Sequence, residues 1–366
     1  MKTTRLRISL REVTPPVLRV LDVPSVSTLP ELHDLLQVGV GWTDSHLHMF
    51  VADQVRFGVP DEDDEHLLDE SGATLRDLPA RFSYRYDFGD NWRHDVEVLG
   101  SGRPEPGCVY GEGACPPEDC GGTSGYAELL EALADPEHPE HETMRVWSSG
   151  WSDFDQEVTD ALVRDTVGTV PASVRLLLDR LSGGVRLTPG GRLPRVLVRQ
   201  VQEQRPGWCP WDKPASIEED LFALSALHDL LRRVGLVRLT HGVLAPTKAA
   251  ADDLQIIRRL RRAFEPNSFD DILVGVAVAE LVTRSPRSSE DLAVAVHPYL
   301  DRWGVNGRPV TPDDVQRELN RLGSTMQALD LVERDWPTWQ PGSSARTLLP
   351  RATALAHIWR HRETAG

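Results

Sequence analysis

The stretch RFSYRYDFGDNWRHDVEV, Arg81 to Val98, constrains the fold more than any other part of the chain. Phe82, Tyr84, Tyr86 and Phe88 alternate with Arg81, Ser83, Arg85 and Asp87, the two-residue period of a strand with one buried face. Gly89-Asp90-Asn91 supplies strong turn formers, after which Trp92, Val96 and Val98 take one face and Arg93, Asp95 and Glu97 the other. The pattern predicts a β-hairpin with His94 on its aromatic face. Asp87-Phe88-Gly89 is also the tripeptide that holds magnesium in protein kinases. That chemistry needs a glycine-rich loop, a strand lysine and an H-R-D loop upstream, and the sequence has none of these.

Around the hairpin, the first 170 residues read as an α+β fold. TTRLRISLREV and VLRVLDV are strands joined around Pro15-Pro16. The capping box Thr28-x-x-Glu31 opens a helix over 30–38, built on Leu32, Leu35 and Leu36 and closed by Gly39 and Gly41. HLHMFVADQVRFG reads as one further strand, followed by an acidic loop at 61–70. A Gly/Pro-rich segment at 101–123 precedes helices near 126–133 and 155–167. Together these predict an N-terminal mixed sheet with packed helices, β-grasp-like.

Beyond residue 170 helices dominate: a strand-helix linker at 171–215 leads into a mainly α, winged-helix-like region at 216–366. GVRLTPGGRLPRVLVRQV (184–201), HGVLAPTKAAADDLQII (241–257) and ARTLLPRATALAHIW (345–359) each read as a short strand, a Thr/Pro break and a new helix. The box Ser216-x-x-Glu219 opens a helix on Leu221, Leu224, Leu227 and Leu231, and Thr311-Pro312 opens one on Val315, Leu319, Leu322 and Met326. Helix, apolar exit, strand pair and helix is the order of a winged helix.

The formal charge of -16 is divided unequally, with 13 Lys+Arg against 33 Asp+Glu in residues 1–170 and 27 against 23 in residues 171–366. An acidic first half repels phosphate, so contact with DNA or a protein partner is expected in the second half, with Arg258, Arg259, Arg261 and Arg262 as the DNA-contacting residues. The same arginines also suit a solvated helix face, or pairing with Asp252, Asp253, Asp270 and Asp271. No apolar run of about eighteen residues and no signal-peptide pattern occurs, which predicts a cytoplasmic protein without membrane contact. Four cysteines then serve as free thiols or ligands.

His46 and His48, two apart in a predicted strand, would project from one face as imidazole ligands must. With His94 on the neighbouring hairpin and Cys115 and Cys120 in the next loop, they make a candidate site for a divalent metal such as zinc. The C-x4-C spacing departs from the C-x2-C knuckle of structural zinc. A wider binding cluster is expected where His46, His48, Asp87, Asp90, Trp92, His94, Glu118 and Asp119 meet at one end of the sheet. No residue is assigned a catalytic role.

The spaced motifs HLHMF, YRYDFGDNWRHDVEV, GEGACPPEDCGG, GYAELLEAL and DPEHPEH resemble the Ri-plasmid open-reading-frame-three-like family, also labelled passenger TnpR proteins of an insertion element, over residues 3–165. The resemblance implies an association with mobile elements. Its resolvase-like label implies a recombinase, yet the chain has neither a Y-x-R-V-S serine context near its start nor a tyrosine following His357 and Arg360. The expected function is therefore a non-catalytic adaptor or regulator. The alternative is a metal-dependent hydrolase or nuclease acting through the His/Asp/Glu/Cys cluster.

Overall fold

The computed structural model describes residues 1–60, 64–149, 151–211, 213–265, 267–305, 307–335 and 337–364. Part of the expected acidic loop, Asp61 to Asp63, lies outside the described residues. Chain contacts divide the protein into two units, Met1–Val167 with His357–Gly366, and Gly168–Ala356.

The first unit opens with β1 (Thr3–Leu10) and β2 (Leu18–Pro24), an antiparallel pair in which Leu6 faces Leu21, followed by helix α1 (Leu29–Val40). Next come β3 (His48–Ala52), β4 (Val55–Gly58), β5 (Leu67–Asp69), β6 (Arg81–Tyr86), β7 (Trp92–Ser101) and β8 (Gly107–Glu112). Helices α2 (Gly122–Ala134), α3 (His141–Trp147) and α4 (Gln156–Val167) complete it. Among the described residues the strands form one sheet in the order β5-β4-β3-β6-β7-β1-β2-β8. The β4–β5 pair at one edge is parallel and the pairs at the centre are antiparallel, so the β-grasp expectation is met only as far as a mixed sheet with packed helices.

The capping box of Thr28 and Glu31 starts α1, and Leu29, Leu32, Leu35 and Leu36 turn its apolar stripe inward. Gly41, at φ 101, ends the helix. Gly39 lies within it rather than ending it, and packs so closely on β2 that a Cβ there would come 2.8 Å from Leu21 Cδ1.

Three local expectations need correction. Phe82, Tyr84 and Tyr86 are buried, but Phe88 is exposed, because the strand stops at Tyr86 and the loop begins at Asp87. HLHMFVADQVRFG is a hairpin of β3 and β4 that reverses at Asp53, whose φ of 54 places it in the left-handed region, rather than one strand. The Gly/Pro-rich segment contains β8, whose partner strand β2 carries the buried Arg19. The Arg19 guanidinium donates to the carbonyls of Gly39, Leu18, Glu112 and Gly113, which satisfies a buried cation without a carboxylate.

In the second unit a single connection occurs twice. α5 (Ala172–Leu181), β9 (Val185–Arg186), α6 (Arg195–Gln204), α7 (Phe222–Arg233), β10 (Val237–Thr240), β11 (Val243–Pro246) and α8 (Asp253–Arg261) form the first pass. The second runs α9 (Phe269–Arg284), β12 (Arg287–Ser288), α10 (Ser289–Val296), the small pair β13 (Gly304–Val305) and β14 (Arg308–Pro309), α11 (Pro312–Ala328), β15 (Val332–Asp335) and β16 (Thr338–Pro341), followed by α12 (Pro350–Thr364), of which the part up to Ala356 belongs to this unit. Each pass builds a sheet in which the second hairpin strand lies centrally, in the orders β10-β11-β9 and β15-β16-β12. The stretch 171–215 thus contributes α5, β9 and α6 to the first pass.

Thr311 and Pro312 open α11 as expected, and Asp314 completes a capping box with Thr311. The Ser216–Glu219 box does not form: the Asp220 carboxylate instead accepts the Ser216 and Ile217 amides, and the helix starts later, at Phe222. No strand is found at 345–349, where turns lead into α12.

Equivalent positions after α7 and α11, Gly235 (φ 71) and Asp330 (φ 52), both adopt the left-handed conformation. Asp330 is buried and joins the two passes. Its carboxylate accepts Ser173 N of α5 at 2.9 Å and pairs bidentately with Arg205 at 3.0 and 3.1 Å.

Candidate functional site

The motifs HLHMF, YRYDFGDNWRHDVEV and GEGACPPEDCGG meet beside the β6–β7 hairpin. Tyr86, the last residue of β6, has a buried hydroxyl that accepts Ser45 N (2.9 Å) and His46 N (3.3 Å) and donates to Glu118 Oε1 (2.5 Å). The other carboxylate oxygen of Glu118 accepts Thr43 N and the Thr43 hydroxyl. Burial, reinforced by Glu118, drives the Tyr86 pKa far above the ordinary phenol value, so the hydroxyl stays protonated and continues to donate. Trp42 stacks on Tyr86 and its Nε1 donates to Pro116 O at 2.8 Å, which ties the PPEDCGG loop to the α1 exit.

Deeper in the unit, α1 delivers His33 and Gln37 to Tyr84. His33 Nδ1 lies 2.7 Å from the Tyr84 hydroxyl and Gln37 Nε2 lies 2.8 Å from it, while His33 Nε2 contacts Asp44 at 2.9 Å. His48 Nε2 meets Glu70 at 2.9 Å, and its ring stacks on His33 with centroids 3.5 Å apart and planes 7° off parallel. Burial, with the His48 charge second, lowers the His33 pKa.

Among the described residues, two groupings of imidazoles and carboxylates bring their ligand atoms within 4.8 Å: His33, Asp44 and His48, and His46, Asp87 and Asp119. In the first, the lone pairs of parallel stacked rings run side by side and cannot converge on one ion, and each Nε2 already meets a carboxylate. That grouping is a hydrogen-bond network.

The second grouping differs. Asp87, at φ 55, opens the hairpin loop, where its Oδ1 accepts Gly89 N and Asp90 N. Its Oδ2 lies 3.6 Å from His46 Nε2, which is 3.1 Å from Asp119 Oδ1. Gly121 N donates to Asp90 Oδ2 at 3.1 Å, and Gly122, at φ 70, is so close to Asp90 that a Cβ would sit 2.8 Å from its carbonyl oxygen. The loops carrying Asp87 and Asp119 are thereby locked together.

The expected cluster is distributed over these layers. His46, Asp87 and Asp119 lie together; Glu118 serves Tyr86 and Thr43; Asp90 joins the loops; Trp92 and His94 are buried beneath, each edge or tilted against Trp42. His46 and His48 do not share a strand face, because β3 begins only at His48, where pairing with Tyr86 starts. Burial raises the thiol pKa of Cys115, and that of Cys120 to about 12, and neither enters a ligand grouping among the described residues. His33, Gln37, Asp44, Glu70 and Tyr84 were not foreseen as members. The available signal was His33 and Gln37, two polar residues four apart on the apolar face of α1.

In the second unit Arg233, Arg258, Arg259 and Arg262, with Val234 and Gln255, line a cleft of about 290 Å³. Arg259 Nη1 caps the end of α7 through Val234 O and Gly235 O, whereas Arg261 turns away from the cleft and donates to Leu348 O. A second cleft nearby is flanked by Arg238 and Lys248, and Thr247 between the two bonds Gly235 O.

Residues 2–162 match the family model described as plasmid pRiA4b ORF-3-like protein. The uncharacterized protein y4hQ of Sinorhizobium fredii (strain NBRC 101917 / NGR234) is 41% identical over 161 residues, covering 41% of this chain and 82% of that protein. A crystal structure of a protein of unknown function, MM3350 from Methanosarcina mazei Go1, is similar at 34% identity and a TM-score of 0.40, covering 43% of this chain and 97% of that one. Through the unit that carries the converging motifs, the chain belongs to the plasmid pRiA4b ORF-3-like family.

Proposed function

We propose that the protein is a non-catalytic adaptor or regulator that holds nucleic acid by its phosphate backbone. In this reading the second unit is a tandem pair of winged-helix-like repeats, supported by the repeated order helix, strand, helix, helix, hairpin and by the matching sheet orders. The observation that carries the reading is the arginine cleft, lined by Arg233, Arg258, Arg259 and Arg262. The forked donors of several arginines gathered at one cleft suit the oxygens of a phosphate.

The helices that a winged helix inserts in the major groove argue for backbone rather than base contact. Glu218, Glu219 and Asp220 precede α7, and Asp313 and Asp314 stand in the first turn of α11. The outward arginines of α11 are already paired, Arg317 with Asp314 and Arg321 with Asp270 and Glu318. Binding should therefore be indifferent to sequence and sensitive to salt.

Fluorescence anisotropy of the full chain with unrelated 30-base-pair duplexes tests this. Log K is expected to fall against log salt with a slope of about -2 to -4, at roughly 0.9 per phosphate contact, equally for every duplex. The double substitution Arg258→Glu and Arg262→Glu should weaken binding by about tenfold or more. No binding at about 20 mM salt would refute the nucleic-acid role and leave only a protein partner. The alternative hydrolase reading draws on His46, Asp87 and Asp119, but the neighbouring Glu118, engaged by Tyr86 and Thr43, is not placed as a general base.

A further inference from the structure

We infer that His46, Asp87 and Asp119 form a binding site for one divalent transition-metal ion. The three donor atoms come from three separate chain segments, the approach to β3, the β6–β7 loop and the loop before α2, and all lie within 4.8 Å of one another. Ligand atoms about 2.0 to 2.2 Å from a metal stand roughly 3 to 3.6 Å apart in octahedral or tetrahedral arrangements. The observed separations of 3.1 and 3.6 Å from His46 Nε2 to the two carboxylates have that spacing.

The donors also lack alternative employment. His46 Nε2 is shielded from solvent, and despite its closeness to Asp119 it makes no hydrogen bond of acceptable geometry. The Asp87 side chain is 9% exposed; its Oδ1 accepts the loop amides of Gly89 and Asp90, and its Oδ2 lies 3.6 Å from His46 Nε2. A buried imidazole nitrogen left without a hydrogen bond beside two carboxylates is what a cation would complete.

The backbone holds this arrangement in advance. His46 N donates to the Tyr86 hydroxyl, Tyr86 directly precedes Asp87, and Gly121 N donates to Asp90 Oδ2, so each ligand segment is tied to the next. One imidazole and two carboxylates suit zinc, manganese or ferrous ion better than the all-oxygen partners magnesium and calcium. Three protein ligands leave coordination positions open for a bound small molecule. This inference stands apart from the nucleic-acid reading, which concerns the other unit.

The test is titration of the chelator-stripped full chain with Mn²⁺, read by loss of the free-ion electron paramagnetic resonance signal, and with Zn²⁺, read by calorimetry. Mn²⁺ discriminates because thiols do not hold it well. One equivalent is expected to bind. His46→Gln and Asp119→Asn should each weaken it by at least about tenfold. Asp119 has a side chain 72% exposed, so its substitution leaves the metal-free melting temperature unchanged and separates ligand loss from misfolding. The site is overturned if neither ion binds at one equivalent, or if binding survives both substitutions, which would place the ion elsewhere in the chain.

Discussion

Buried with its ring against Trp42 and Tyr84, His94 is held neutral, its pKa lowered to about 4 chiefly by burial. Its Nδ1 donates to Tyr84 O at 3.2 Å, which leaves Nε2 an acceptor without a partner. An unfolded histidine takes up its proton near pH 6.5, so between about pH 6.5 and 4 the unfolded chain binds more protons than the folded one. Stability is therefore full above that window and falls by about 1.4 kcal/mol per pH unit as the pH drops through it. His33, lowered by burial and by His48, acts in the same direction. Urea midpoints at about pH 7 and 5 should lie closer together for His94→Phe than for the natural protein, and an unchanged gap would contradict the assignment. The placement of His94 on the aromatic face was legible from alternation alone. Its protonation state was not, because Trp42, which closes over it, comes from a distant segment.

At the scale of elements, α1 is the part on which the polar network depends, since it delivers His33 and Gln37 to Tyr84. Thr28→Ala removes half of its capping box and should lower stability by about 1 kcal/mol, measurable by urea denaturation. A loss below about 0.2 kcal/mol would mean that packing against β2 alone sets the start of the helix. Elements announced by local chemistry were readable in advance: β1, β2, α1 and α11 each combine a periodic apolar stripe with a recognisable cap or turn. Elements fixed by remote partners were not. β8 lies in a Gly/Pro-rich stretch and is a strand because β2 offers it a ladder. β3 starts two residues after His46 because Tyr86 is where its pairing begins, and this separated two histidines whose spacing alone suggested one face. The grouping of His46, Asp87 and Asp119 was half legible for the same reason: all three belong to the cluster expected at one end of the sheet, but which members meet is set by loop-to-loop bonds.

Each unit of the whole molecule encloses its own core, and calorimetry of the full chain should give a total enthalpy larger than the van't Hoff value of a single transition. Adding Mn²⁺ should raise the temperature of one transition and leave the other in place, because linkage acts only on the unit that binds. A uniform shift, or one transition with equal enthalpies, would refute that independence. Within the second unit, the contact of Asp330 with Ser173 and Arg205 has a direction. The carboxylate belongs to the second pass and the groups that receive it belong to the first. The equivalent place in the first pass is Gly235, which shares the left-handed backbone but has no side chain to offer. In the docking contact the first pass donates, through Ser173 N and Arg205, and the second accepts, through the Asp330 carboxylate. The two passes, alike in order and sheet arrangement, are therefore not interchangeable: exchanging them would leave Ser173 and Arg205 facing the bare backbone of Gly235.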